Sequence, residues 1–176
     1  MENSQEKTLE ALQTAIQMEI DGKEFYLKAS QNSSNEMGRK LLQSLSNAED
    51  VHRQRFVSVY DNIRSEKSWP VIIIPPDESK KITTLFSMAT REMADNTKPL
   101  SSELEAIETG MDMEKKSIDF YQYLDSETSD KTEKDFYQAI TAEEREHHRV
   151  LLDYYDYLKD PAGWFVKTEH PSLDGG

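Results

Sequence analysis

ITAEEREHHRVLLDYY, residues 140 to 155, is the stretch on which the fold turns. It holds no Gly or Pro and is rich in helix formers, so it reads as a helix. Apolar residues at Tyr137, Ile140, Leu151, Tyr154 and Leu158 fit the three- and four-residue steps of a buried seam. The seam positions left between Ile140 and Leu151 are Glu144 and His147. A carboxylate and an imidazole on a face that should be oily are costly unless something pairs with them. One Glu-x-x-His in a Glu-rich chain still carries little weight, because the pattern arises by chance on solvated helices.

A second copy changes that weight. One constant shift carries Leu45 onto Ile140, Glu49 onto Glu144, His52 onto His147, Phe56 onto Leu151, Val59 onto Tyr154 and Ile63 onto Leu158. The same shift carries Leu9, Leu12, Ile16, Glu19 and Tyr26 onto Leu104, Ile107, Met111, Glu114 and Tyr121. A single register thus repeats the acids, the histidines, the tyrosines and the oily seams, which marks an internal duplication.

Composition sets the limits. A chain of 176 residues suits one domain with a sizeable core. The net charge of −13, from 34 acids against 21 bases, argues against nucleic acid or an anionic membrane as partner. With no cysteine there are no disulfides, no thiol redox chemistry and no cysteine-held iron centre. No apolar run approaches membrane-spanning length and the opening MENSQEKTLE lacks a signal-peptide core, so a cytoplasmic location is expected.

Along the chain, the first helix is expected over 6–29, behind a capping box at Asn3-x-x-Glu6. Ser33-x-x-Glu36 is expected to cap a second helix over 36–66, which Trp69-Pro70 stops. Ser102-x-x-Glu105 caps a third over 102–126, and Asp130-x-x-Glu133 opens a fourth that Asp160-Pro161 ends. Residues 67–100 break the pattern: Val71 to Ile74 is β-branched and bounded by prolines, hence extended, and a short helix near 83–94 follows. The segment reads as a crossover along the bundle, or else as a lid or dimer contact. The domain is therefore 1–160, followed by an irregular tail over 161–176. In that tail Trp164 and Phe165 pack on the bundle or a partner, and His170 is solvated.

Two repeated helix pairs joined by a long crossover make an all-α four-helix bundle with approximate twofold symmetry. Each pair brings a lone Glu and a Glu-x-x-His to mid-bundle, so Glu19, Glu49, His52, Glu114, Glu144 and His147 converge. Four carboxylates in a low-dielectric core cannot all stay ionised unaided, and two divalent cations would balance them. Di-iron and di-manganese bundles use this ligand set. The rival reading is a polar network of protonated acids and hydrogen bonds. Carboxylates with two imidazoles and no thiolate suit iron or manganese, and zinc would also fit. Tyr26 and Tyr121, two turns beyond Glu19 and Glu114, are either phenols bonded to ligand carboxylates and close to the cofactor, or plain core aromatics. Met18, Met111 and Met113 read as core filler and His148 as surface.

With these residues in hand the chain resembles the ferritin-like superfamily and, within it, the rubrerythrin or erythrin group. The likeness rests on Glu19 with Tyr26, Glu49-x-x-His52, Glu114 with Tyr121, and the run from Ala142 to His147. It implies that Glu49 and Glu144 bridge two irons, with Glu19 and His52 completing one and Glu114 and His147 the other. It also implies a di-iron enzyme that reduces hydrogen peroxide or dioxygen. Two departures stand out. No rubredoxin-type cysteines are present, so electrons are expected from a separate donor protein. Ser117 stands where rubrerythrins commonly carry an extra carboxylate, which brings the six-ligand set closer to bacterioferritin or simple erythrins. The alternatives are ferrous oxidation with storage or delivery, oxygenation of an organic substrate, or metal binding without turnover. A homodimer is expected because Trp69, Val71 to Ile74 and Trp164-Phe165 offer apolar surface, and the crossover permits exchange of helix pairs.

Overall fold

Each helix carries one buried stripe at helical spacing, and that stripe decides how the four assemble. The computed structural model of the chain describes residues 2–66, 68–70 and 101–164. Four long helices account for most of them: α1 (Glu2–Asn32), α2 (Glu36–Glu66), α3 (Ser101–Glu127) and α4 (Lys131–Lys159). α1 packs along α2, α3 packs along α4, and α1 meets α3 across the bundle. No strand occurs among the described residues. Val71 to Ile74, the short helix near 83–94, Phe165 and His170 lie outside the described residues.

The core comes in two blocks. Tyr26, Leu42, Leu45, Ile107, Leu151 and Tyr154 belong to one. Leu12, Phe56, Val59, Tyr121, Phe136 and Ile140 belong to the other. In every helix the chain passes from one block to the other through its buried Glu or Glu-x-x-His. Two apolar layers thus enclose a polar one. Each fully buried Leu or Phe contributes about 1.5–3 kcal/mol of burial free energy, so the apolar layers hold the polar residues in place.

The helix ends depart from the sequence reading. α1 runs further than 6–29 at both ends and takes Asn3 inside it, so that residue is not its cap. Asn35, not Ser33, receives the free backbone N–H of Gly38 on its side-chain oxygen at the start of α2. The cap at Asp130 is as expected: its carboxylate accepts from the Glu133 N–H at 3.0 Å. Asp160 ends α4, but residues 161–164 form one further helical turn where irregular chain was expected. Trp164 there meets the Tyr157 ring at 5.9 Å. Trp69 is covered by its own bundle, against Phe136 at 5.8 Å and Tyr137 at 5.5 Å, so it offers less open apolar surface than expected.

A buried acid ties the halves together at one end. Glu103 accepts from the Ser33 hydroxyl (2.6 Å), the Ser34 hydroxyl (2.7 Å), the Asn35 amide (3.2 Å) and the Tyr154 hydroxyl (2.9 Å). Gly38 sits against this network: a Cβ there would collide with the Tyr154 hydroxyl and Ser33 Oγ and lie 2.8 Å from Glu103 Oε1. Those atoms cannot retreat without breaking buried hydrogen bonds. Gly38→Ala is therefore expected to cost about 2 kcal/mol and lower the melting temperature by about 5 °C in a thermal unfolding scan.

Candidate metal centre

Helix spacing places two ligand-type residues of each Glu-x-x-His on one face, and antiparallel packing brings the two faces together. The structure gathers Glu19, Glu49, His52, Glu114, Glu144 and His147 into one buried cluster in the polar layer. Glu49, His52, Glu144 and His147 each offer a ligand atom within 4.8 Å of the others. The imidazole rings of His52 and His147 lie nearly parallel, with centroids 5.4 Å apart.

Glu144 stands between the two rings: its Oε1 lies 2.9 Å from His52 Nδ1, and its Oε2 lies 3.1 Å from His147 Nδ1. Glu19 flanks His52, Oε2 to Nδ1 at 3.5 Å, and Glu114 flanks His147, Oε2 to Nδ1 at 3.7 Å. Glu49 Oε1 lies 3.3 Å from His147 Nδ1. Each lone Glu thus sits with one His, while Glu144 faces both.

Of these contacts only the one between His147 Nδ1 and Glu144 Oε2 is a hydrogen bond. Glu19 Oε2, Glu49 Oε1, Glu144 Oε1 and His52 Nδ1 are all buried and none has a hydrogen-bond partner. The 2.9 Å between His52 Nδ1 and Glu144 Oε1 is short enough for a hydrogen bond but not aligned for one. Buried polar atoms left in this state are costly, and a native core holds few of them. Their positions fit a carboxylate- and imidazole-liganded cation pair: hard oxygen donors, two nitrogens, no sulfur. The polar network of protonated acids, the rival reading, would need those four atoms to have hydrogen-bond partners.

Electrostatics point the same way. Burial, then the charges of Glu144, Glu114 and Glu19, push the Glu49 carboxyl well above its ordinary range. Burial and Glu144 push Glu114 up to about 8. Burial opposes the charged form of His52, but Glu144, Glu143 and Glu19 outweigh it and hold that imidazole well above its usual value. Burial likewise opposes the cation at His147, and Glu114, Glu144 and Glu49 overcome it. Glu144, although buried, is held well below the carboxylate range by the two imidazoles. Without metal, protons supply the positive charge that the acids require.

The two tyrosines cross-link the halves. The Tyr26 hydroxyl on α1 donates to Glu114 on α3, and the Tyr121 hydroxyl on α3 donates to Glu19 on α1. Burial and the neighbouring carboxylates raise both phenols well above 10, so they remain donors across the usual pH range. Tyr26→Phe removes a donor from a buried carboxylate, a loss of about 1–3 kcal/mol. A fall in melting temperature of about 5 °C is the expected result, checked by thermal unfolding beside the Tyr121→Phe counterpart.

Three participants, Glu143, Arg55 and Gly22, are not marked by the sequence pattern. His52 Nε2 donates to Glu143 Oε2 at 2.9 Å, and Arg55 Nη1 lies 2.9 Å from both oxygens of Glu143. Glu143 falls beside the seam of α4, and the sequence pattern gives no sign that it reaches a histidine on α2. Gly22 leaves room for Glu49: a Cβ there would lie 3.2 Å from Glu49 Oε2. His148 is half-buried and shares none of the cluster's contacts, and of the three methionines Met111 alone packs on a core block.

No helix among the described residues is long and apolar enough to cross a membrane. The family whose pattern the chain matches is Rubrerythrin, over residues 10–155. No curated protein and no solved structure matches it.

Proposed function

Since the chain belongs to the rubrerythrin family, a ferritin-like di-iron carboxylate domain, we propose that Glu19, Glu49, His52, Glu114, Glu144 and His147 hold two iron ions that reduce hydrogen peroxide or dioxygen. The observation that carries the reading is the set of buried, unbonded ligand atoms at the centre of the polar layer. Manganese or zinc would fit the same donors, and iron suits the redox reading.

An iron pair held by these six residues would supply the electrons for reduction of the O–O bond. The protein's residues do the rest. Glu144, facing both imidazoles, keeps the two positions together. Glu49 balances charge from the opposite helix. Tyr26 and Tyr121 fix Glu114 and Glu19 by hydrogen bonds from across the bundle. The apolar layers above and below keep bulk water from the acids. Reducing peroxide to water consumes electrons and protons in equal number. The sequence has no cysteine to hold a second iron centre, so a separate donor protein returns the electrons.

Anaerobic loading with Fe(II) followed by peroxide tests this. A fast, stoichiometric oxidation of the loaded protein is expected, and a slow one would sink the peroxidase reading. A second reading has its own support: Ser117, half-buried, supplies no carboxylate one turn beyond Glu114. The symmetric six-ligand set then serves ferrous oxidation and iron handling; storage needs a hollow shell, so a large assembly in light scattering would favour it and a dimer would exclude storage.

A further inference from the structure

The duplication that makes the two halves alike breaks down behind the imidazoles. His52 is backed by Glu143, which Arg55 holds from the far side, and all three side chains are about nine-tenths buried or more. The repeat register places Ala48 opposite Glu143 and Val150 opposite Arg55. A methyl group and an isopropyl group cannot reproduce an acceptor and its anchor. Every ion-pair contact of His147 among the described residues is made by Nδ1, facing into the cluster.

An acid behind a ligating histidine fixes which ring nitrogen carries the proton, fixes the ring's angle, and raises the basicity of the nitrogen that faces the metal. At His52 the Nε2 side of the ring is committed to Glu143, so Nδ1 is the nitrogen left to face an incoming metal. Arg55 occupies both Glu143 oxygens, so that acid stays in place as a support and does not swing in to become a ligand. Among the described residues His147 has no matching acid, so its ring must be ordered when the metal arrives.

We infer that the two metal positions are unequal: the one at His52 fills first and holds its ion about 10- to 100-fold more tightly than the one at His147. Glu143 is a positioning residue for that difference. The inference rests on the di-metal reading above.

The test is a titration of the full metal-free chain with Zn(II), followed by calorimetry and by nitrogen-15 NMR of the imidazole rings. Two steps separated by about 10- to 100-fold are expected, with the His52 signals shifted and the His147 signals unmoved at one equivalent. Glu143→Gln should weaken the first step about tenfold and leave the second nearly unchanged. Equal steps, a first step at His147, or an equal effect of Glu143→Gln on both would overturn the inference while leaving a two-metal centre intact. Binding of fewer than two ions overturns the di-metal reading and this inference with it. The wild-type filling order decides the matter even if Glu143→Gln fails to fold.

Discussion

Glu144→Ala is expected to lower the melting temperature of the metal-free protein by about 10 °C and to abolish binding of a metal pair. Glu144 is fully buried (0 % exposed) and lies 2.9 Å from one imidazole and 3.1 Å from the other. Both imidazoles are held cationic by the acids around them. Removing the acid they share leaves two buried cations short of a counter-charge, a loss of about 3–5 kcal/mol. At about 2–4 °C per kcal/mol for a chain of this size, that predicts the stated fall. Glu146, two residues along the same helix, supplies the control. It pairs with Arg149 at 2.6 Å, but both side chains are 40 % or more exposed, so Glu146→Ala should shift the melt by about 2 °C or less. Thermal unfolding followed by circular dichroism separates the two. Near-equal melts for both variants would mean that the buried cluster carries no special charge balance.

The metal-free protein is also expected to lose stability as pH rises from about 6 to about 9, by about 5 °C or more, against the behaviour of most acidic proteins. Glu49, Glu114, His52 and His147 all have folded pKa values above their ordinary ones. Each therefore binds its proton more tightly folded than unfolded. That stability is complete below the ordinary value and is lost as pH climbs through the folded value, about 8 for Glu114. Glu144 works the other way, since its lowered pKa adds stability that disappears only in acid. Divalent ions displace the same protons, so their binding strengthens with pH. The melting-temperature gap between metal-loaded and metal-free protein should accordingly widen from pH about 6 to about 9. A gap that narrows would contradict the idea that protons and metals compete for this cluster.

Much of the centre was legible in the sequence because a helix converts spacing into a face. Glu144 and His147 interrupt an oily seam, and a constant shift finds Glu49 and His52 doing the same. The lone acids Glu19 and Glu114, with Tyr26 and Tyr121, follow in that register. What the sequence could not show is contact between helices off the seam. Glu143 looks like one more acid beside the seam, yet α4 packs so that it reaches His52. Glu103 looks like a solvated residue at a helix start, but the α1–α2 turn closes over it with three polar side chains. The cap of α2 escaped the sequence for a different reason: Ser33 and Asn35 both suit the position, and the choice of Asn35 depends on Ser33 being taken by Glu103. Trp69 depended on the path of the chain after α2, which brings it onto Phe136 and Tyr137.

The proposed cation pair at the bundle's centre is tested most directly by anaerobic titration of the metal-free chain with Fe(II), read by calorimetry and by metal analysis after desalting. Binding should saturate at two ions per chain and fall to one or none in Glu144→Ala. Saturation below two, or retention of both ions by that variant, would contradict it.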